Sequence, residues 1–162
     1  MTAGISGHQE LGDSATVVWI RAALGDALTK MPPQLGLTSL AAGSDQLFAL
    51  VLLERHIPFD VIIPCRYYDT TFDDITLPRY KELLAKARQQ TTLAFPSPSE
   101  QAFWTAGRQI VDGSDLLIAI WDGQEARGLG GTGDVVSYAL DAGRAVLHID
   151  PIRRTSRSLR RR

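Results

Sequence analysis

The stretch Leu116-Leu-Ile-Ala-Ile-Trp121 decides the fold class, because its six consecutive apolar residues leave neither face of a strand polar. Strands of this kind are buried on both faces, as in parallel sheets that helices cover on each side. Phe59-Asp-Val-Ile-Ile-Pro64 is a second, nearly continuous apolar run. Amphipathic stretches with helical spacing alternate with such runs along the chain, which is typical of βαβ units. The pattern predicts a parallel sheet.

The alternation predicts one α/β domain with a Rossmann-like, doubly wound, mainly parallel sheet and helices on both faces. We expect this domain to cover residues 1–150. Its strands are expected at residues 2–6, 35–40, 59–64, 92–95, 116–121 and 145–149. Its helices are expected at residues 14–30, 45–56, 78–90, 98–112 and 132–142, with a loop at 66–77.

Composition limits the class of protein. The chain has 162 residues, of which 44% are hydrophobic, and this suits one domain with a sizeable core. The single cysteine, Cys65, cannot form an internal disulfide, so nothing indicates a secreted disulfide scaffold. No apolar run reaches the roughly 18–20 residues of a membrane helix, and the first residues lack the pattern of a signal peptide. We therefore expect a cytoplasmic protein without a membrane segment.

The charged residues are distributed unevenly. Residues 153–162 hold six of the 17 basic residues, which leaves 11 basic against 18 acidic residues in 1–152. An acidic body is a poor general binder of nucleic-acid backbone, which requires clustered Lys and Arg. We expect residues 151–162 to form a flexible, Arg-rich tail, either a solvated segment or one that contacts nucleic acid or an acidic partner.

Three glycine-containing segments follow predicted strands. They are Gly4-Ile-Ser-Gly-His8, Ala42-Gly-Ser-Asp45 and Gly128-Leu-Gly-Gly-Thr-Gly-Asp134. The carboxyl ends of parallel strands share one sheet edge, where doubly wound folds bind ligands. Glycines allow backbone N–H groups to approach a ligand, and a helix N-terminus presents unpaired N–H groups to an anion. The segments predict a phosphate or nucleotide site, although each alone is also consistent with a tight turn.

Several familiar signatures are absent from the sequence. There is no Gly-x-x-x-x-Gly-Lys-Ser/Thr, no set of spaced glycines after the first strand and no Gly-x-Ser-x-Gly elbow. His8, His56 and His148 lie far apart, with no short-spaced pair of His or Cys. We therefore expect neither a bound metal nor a cofactor.

Four motif strings together resemble one superfamily. The strings are Gly4-Ile-Ser-Gly-His8, Leu40-Ala-Ala-Gly-Ser-Asp45, Ser114-Asp-Leu-Leu-Ile-Ala-Ile-Trp-Asp-Gly123 and Ala126-Arg-Gly-Leu-Gly-Gly-Thr132. Over about residues 3–150 the chain resembles the SLOG superfamily of Rossmann-like domains, which joins DNA-processing-protein-A-like and Lonely-guy-like proteins. The resemblance implies a nucleotide pocket built by the first glycine loop and the Gly-Gly-Thr helix start. It also implies a ligand sensor in a bacterial signalling or conflict system, with a homo-oligomer and an effector protein as expected partners.

One branch of this superfamily is enzymatic and supplies the alternative function. Lonely-guy-like enzymes cleave the N-glycosidic bond of nucleoside monophosphates and release a base and ribose 5-phosphate. That branch carries Pro-Gly-Gly-x-Gly-Thr-x-x-Glu, whereas this chain reads Leu129-Gly-Gly-Thr-Gly-Asp-Val-Val136. The proline is missing, the order of glycine and threonine differs, and the nearby acid is the shorter Asp134. The sequence therefore favours a nucleotide sensor over a phosphoribohydrolase.

Eleven residues are predicted to contact the nucleotide. Gly130, Gly131 and Thr132 would donate hydrogen bonds to a phosphate, and Ser6 and Gly7 would enclose it from the other side. The other candidates are Gly43, Ser44 and Asp122 for ribose or a second phosphate, Arg127 for the phosphate charge, and Gly4 and His8 beside the first loop.

Several of these residues have a purely structural alternative. Thr132 or Ser44 would serve as a helix cap, and Asp122 would form an Asp-Gly turn. Asp45 is expected to be a first-turn acid that the helix dipole favours.

If the chain is a hydrolase, the candidates for catalysis are Asp134, Glu100 and Arg108. Asp134 or Glu100 would stabilise a cationic ribose in the transition state. Arg108 would contact the phosphate or the base from the helix that also carries Glu100, or would simply be solvated. The aromatic residues in the stretch 67–72 would form a lid or a dimer contact.

Overall fold

Seven strands form one sheet in the computed structural model, which describes residues 1–126 and 128–161. They are β1 (Thr2–Gly7), β2 (Leu35–Thr38), β3 (Phe59–Ile63), β4 (Gln89–Thr92), β5 (Leu116–Ile120), β6 (Ala145–Asp150) and β7 (Thr155–Leu159). Across the sheet their order is β4-β3-β2-β1-β5-β6-β7. Strands β1 to β6 pair in parallel, whereas β7 pairs antiparallel with β6.

Helices cover both faces of the sheet. They are α1 (Ser14–Lys30), α2 (Ser44–Glu54), α3 (Thr76–Ala85), α4 (Glu100–Asp112) and α5 (Thr132–Asp141). Buried residues of α1, α2 and α3 share one apolar cluster, and those of α5 and the C-terminal half of α4 share a second. The predicted Rossmann-like α/β fold is confirmed. None of the helices in the described part of the chain combines the length and the apolar character that a membrane span requires.

The position of β5 between the two helical layers explains why its sequence is apolar throughout. Leu116, Ile118 and Ile120 pack in the first apolar cluster, and Leu117 and Ala119 pack in the second. Successive side chains of a strand point to opposite faces of the sheet, so a strand between two helical layers needs apolar residues throughout.

The strand order reverses beside β1. Strands β2, β3 and β4 lie on one side of β1, and β5 and β6 lie on the other. Gly7 is in register with Ile120, so β1 and β5 end together at the carboxyl edge. In doubly wound sheets the chain connections diverge at such a point and leave a crevice where ligands bind. The segments that follow β1, β2 and β5 therefore surround one crevice.

Strand β4 differs from the prediction in position. It spans Gln89–Thr92 rather than 92–95, and the helix expected to reach residue 90 ends at Ala85. All four side chains of β4 are exposed, so its sequence carries no apolar signal. The strand is joined to β3 by backbone pairing and by the Arg88 guanidinium, which donates to both carboxylate oxygens of Asp60 at 2.6 and 2.8 Å.

Residues 155–159, which we predicted to lie in a flexible tail, form the edge strand β7. The pairing with β6 runs from Leu159 beside Val146 to Thr155 beside Asp150. Backbone hydrogen bonds rather than apolar burial hold this polar strand, although Leu159 packs against the second apolar cluster. Because its other side chains are exposed Thr, Ser and Arg, composition alone indicated a solvated segment.

Candidate ligand-binding site

A cavity of about 620 Å³ opens at the carboxyl edge of the sheet. Ser6 and Gly7 at the end of β1 line it, as do Ser39, Ala41 and Ala42 after β2. Helix α4 and the loop before α5 form two further walls. The volume lies within the range of roughly 300–1,000 Å³ that is typical of small-molecule sites. The position is the one that a strand-order reversal predicts for a ligand.

The start of α5 contributes the backbone of one wall. Gly130, Gly131 and Thr132 line the cavity, and Gly131 is the N-cap residue. Among the described residues no side chain caps this helix, so N–H groups of its first turn are free to bind an anion. Gly130 has a φ of +85°, and a Cβ there would lie 2.9 Å from the backbone nitrogen of Trp104. The loop thus needs glycine because it rests directly on α4.

The first glycine loop reaches the same cavity at only two of its candidate positions. Ser6 and Gly7 line the cavity, whereas Gly4 is buried in β1 and does not. A Cβ on Gly4 would lie 2.6 Å from a side-chain carbon of Ile110, so this glycine permits α4 to pack closely on β1.

The second glycine segment holds the first loop instead of lining the cavity. The Ser44 hydroxyl donates to the His8 carbonyl at 2.7 Å, and the Ser44 N–H donates to the same oxygen at 3.1 Å. Gly43 has a φ of +78° and lies against the backbone of Gln9. In the described structure these contacts are structural, and the preceding Ala41 and Ala42 line the cavity in place of Gly43 and Ser44.

Replacing Gly43 by Ala is expected to lower the free energy of unfolding by about 3 kcal/mol, the sum of a left-handed backbone cost and overpacking. A Cβ would lie 2.7 Å from the His8 carbonyl oxygen. Gly143→Ala is the matched control, because Gly143 has a φ of +70° with no described atom within 4 Å of a Cβ. We expect this control to lose only about 1–2 kcal/mol. Urea denaturation measures both losses, and equal losses would contradict the packing argument.

His8 and Asp122 lie together outside the cavity lining. His8 Nε2 is 3.6 Å from Asp122 Oδ1 and 3.4 Å from the Asp122 backbone nitrogen. Asp122 Oδ1 also accepts the Gln124 N–H at 3.0 Å, as in the turn considered for it above. This pair joins the segments after β1 and β5. The remaining candidate, Arg127, lies outside the described residues.

The structure separates the three candidates for catalysis. Glu100 lines the cavity beside the loop, where a Cβ on Gly128 would lie 2.8 Å from Glu100 Oε1. Asp134 does not line it, and its carboxylate accepts the Gly130 N–H at 3.2 Å. Arg108 is directed elsewhere, with its guanidinium carbon 5.7 Å from the ring centre of Trp104. Only Glu100 of these three therefore borders the cavity in the described structure.

Asp45 also lines the cavity, although the sequence indicated only a first-turn acid. Its side chain is 6% exposed, and its Oδ2 accepts the Thr38 hydroxyl at 3.1 Å and the Ser39 N–H at 3.0 Å. Burial raises the pKa of Asp45 to about 6, although these hydrogen bonds act in the opposite direction. Two carboxyl groups, Asp45 and Glu100, thus border one cavity.

An aromatic group forms another part of the wall. Tyr68, Phe72 and Phe103 line the cavity, and the ring centre of Tyr68 is 5.1 Å from that of Phe72 and 6.3 Å from that of Phe103. Burial raises the pKa of Tyr68 well above its usual value, and the nearby charge of Asp45 adds to this effect. Tyr67, by contrast, is exposed and outside the lining. The sequence indicated a lid or dimer contact here but did not indicate Phe103.

Solved structures with the same fold include two DNA processing A proteins. The protein from Helicobacter pylori, which binds single-stranded DNA, has a TM-score of 0.66 at 13% identity over 94% of this chain and 70% of its own. The protein from Streptococcus pneumoniae has a TM-score of 0.64 at 13% identity over 91% of this chain. This chain spans about half (49%) of the Streptococcus chain.

A third similar structure is a molybdenum cofactor binding protein from Rippkaea orientalis, with a TM-score of 0.58 at 16% identity over 92% of this chain and 76% of its own. No protein-family model matches the sequence, and no curated protein sequence matches it. At these identities the likeness is one of fold. The Rossmann-like fold that the resemblance to the SLOG superfamily implied is therefore confirmed.

Proposed function

We propose that the protein binds a nucleotide or nucleotide-derived ligand in this cavity and acts as a sensor without changing the ligand chemically. The observation that carries the proposal is the start of α5, where the uncapped N–H groups of the first helical turn, beginning at Thr132, border a cavity of nucleotide size. A phosphate would accept hydrogen bonds from these N–H groups, and the helix dipole would favour its negative charge. Ser6 and Gly7 border the same space and would close around it.

The charges of the lining favour a ligand with few phosphate groups. Among the described lining residues there is no Lys, Arg or His, while Asp45 and Glu100 contribute carboxyl groups. A polyphosphate extending along the cavity would meet these carboxylates where the described lining residues offer no cation. We therefore favour a nucleoside monophosphate, or a derivative with its one phosphate group near α5, where it would lie far from Asp45 and would have only Glu100 as a neighbouring carboxylate in the described lining.

The contacts of two predicted catalytic residues support the sensor over the enzyme. The Asp134 carboxylate binds the loop backbone, and Arg108 lies over aromatic rings instead of the cavity. A sensor needs only a ligand-dependent change that a partner can detect. We propose an effector protein as that partner, in a bacterial signalling or conflict system, with the sensor acting as a cytoplasmic homo-oligomer.

A thermal-shift screen tests the proposal. Its panel contains nucleoside monophosphates, dinucleotides, ADP-ribose and cyclic nucleotides, and each mixture is then analysed for released base. A ligand at about 100 times its Kd stabilises a protein by about 2.7 kcal/mol, which raises the Tm of a chain of this length by about 5–10 °C. A shift with the ligand intact is the expected result. The absence of any shift across the panel would contradict nucleotide binding.

A nucleoside monophosphate phosphoribohydrolase is the second candidate, and one observation favours it. Asp45 and Glu100 border the cavity that contains the proposed phosphate site, and carboxylates of this kind stabilise a cationic ribose in glycoside cleavage. Released base that disappears in Glu100→Gln, with the thermal shift retained, would support this enzyme. Intact ligand in every mixture would leave the sensor as the function.

A further inference from the structure

Resting on the proposed function, we infer that the β2–β3 side of the cavity recognises a nucleobase that carries an exocyclic amino group. Asp45 would accept a hydrogen bond from that amino group. The aromatic residues Tyr68, Phe72 and Phe103 would contact the faces and edges of the base. The ligand class is thereby narrowed from nucleotides in general to those of adenine, guanine or cytosine.

The strand order separates this side of the cavity from the phosphate site. Asp45 is held by Thr38 at the end of β2, and Tyr68 follows β3, whereas the loop before α5 follows β5. Strands β2 and β5 lie on opposite sides of β1. A ligand whose phosphate binds at α5 would therefore extend across the end of β1, past Ser6 and Gly7, towards Asp45. This arrangement matches the linear order of phosphate, ribose and base in a nucleotide.

Asp45 is a buried hydrogen-bond acceptor with capacity for one more donor. Thr38 and Ser39 both donate to Oδ2, and the Ala41 backbone also hydrogen-bonds the carboxyl group, so about three of its roughly four acceptor positions are used and its orientation is fixed. No ion pair to Asp45 is found among the described residues. Burial of an unpaired carboxylate is unfavourable, which the raised pKa of this group reflects. An amino group of a base donates to a carboxylate without bringing a second negative charge.

The aromatic rings suit a planar partner. Phe103 borders the cavity with 36% of its surface exposed, so part of its ring is open to contact. The rings beside it are fixed by their own packing, since Phe72 stacks on Tyr80 at 4.5 Å and Tyr68 meets Phe72 edge-on. Bases stack on aromatic side chains of this kind in many nucleic-acid-binding proteins.

Calorimetric titration at pH 7.5 with three pairs of nucleotides tests the inference. Within each pair only the amino group differs: AMP against purine riboside 5′-monophosphate, GMP against IMP, and CMP against 2-pyrimidinone riboside 5′-monophosphate. We expect the amino-bearing member of at least one pair to bind about 10-fold or more tightly, because a hydrogen bond to a charged group is involved. In Asp45→Asn that ratio is expected to fall to within about threefold of unity, because the carboxylate acceptor is gone.

One further variant separates the base site from the phosphate site. Phe103→Leu keeps apolar volume but removes the ring, and we expect about 10-fold weaker binding of the amino-bearing nucleotides with unchanged binding of ribose 5-phosphate. Equal affinities within all three pairs would overturn the inference and leave nucleotide binding intact. A loss of ribose 5-phosphate affinity in Phe103→Leu as large as the nucleotide loss would also overturn it. Failure of every nucleotide to bind would overturn the proposed function and the inference together.

Discussion

Asp45→Asn is expected to increase the free energy of unfolding by about 1–3 kcal/mol at pH 7.5. Burial raises the pKa of Asp45 to about 6, so ionising this carboxyl group costs more in the folded protein than in the unfolded chain. Two pKa units correspond to about 3 kcal/mol, from which the lost interaction with the α2 dipole subtracts a few tenths. Asn keeps one acceptor oxygen for Thr38 and Ser39 without the charge, but this single oxygen cannot replace both carboxyl oxygens for the Ala41 backbone as well, so part of the gain is lost.

The raised pKa of Asp45 also determines how the stability of the protein depends on pH. Between about pH 4 and pH 6 the folded protein still binds a proton at Asp45 while the unfolded chain has released it. The contribution of this group to stability is therefore greatest at low pH and falls as the pH rises through that window. In Asp45→Asn this decline is expected to be absent. Chemical denaturation at intervals from pH 4 to pH 8 measures both curves.

The exposed Asp74→Asn provides the control for charge removal, with an expected change within about 0.5 kcal/mol. A loss of stability in Asp45→Asn at pH 7.5 would show that the carboxylate is needed by the fold. A gain would mean that the protein retains a residue which costs stability, as is common for residues that bind ligands.

The sequence predicted the central strands well and the edge strands poorly, for one physical reason. Strand β5 is buried on both faces, so every residue had to be apolar and the run was unmistakable. Strand β4 is exposed at all four positions, and four of the five residues of β7 are exposed. Backbone pairing determines these edge strands, and it leaves little trace in side-chain composition.

The candidate site was predictable in its backbone but not in its side chains. The carboxyl ends of parallel strands meet at one edge, so glycines after β1 and before α5 had to be close in space. Gly43 has the same local signature, yet it packs on Gln9, because that contact depends on how two loops meet. Asp45 and Phe103 were not predicted because whether a helical side chain faces a cavity depends on packing between distant elements.

Thr132→Glu is expected to weaken binding of a nucleoside monophosphate by about 100-fold or more while leaving the fold intact. Thr132 is the first residue of α5 and borders the cavity, so the new carboxylate would lie where the phosphate is proposed to bind. It would compete for the same N–H groups and repel the ligand's charge. Stability is expected to hold or rise by about 0.3–1 kcal/mol, because an acid at a helix N-terminus interacts favourably with the dipole.

Ser137→Glu is the matched control, since it adds the same charge to an exposed position of the same helix. We expect it to reduce affinity less than about threefold, because a solvated charge away from the site is screened. Thr132→Val removes the hydroxyl without adding charge. A smaller loss of affinity in this variant than in Thr132→Glu would indicate that the backbone N–H groups, rather than the hydroxyl, contribute most of the phosphate binding. Calorimetric titration of AMP and ribose 5-phosphate measures all three variants. If Thr132→Glu binds both compounds as tightly as Ser137→Glu does, the phosphate site is not at α5, and the nucleotide would have to be oriented differently in the cavity.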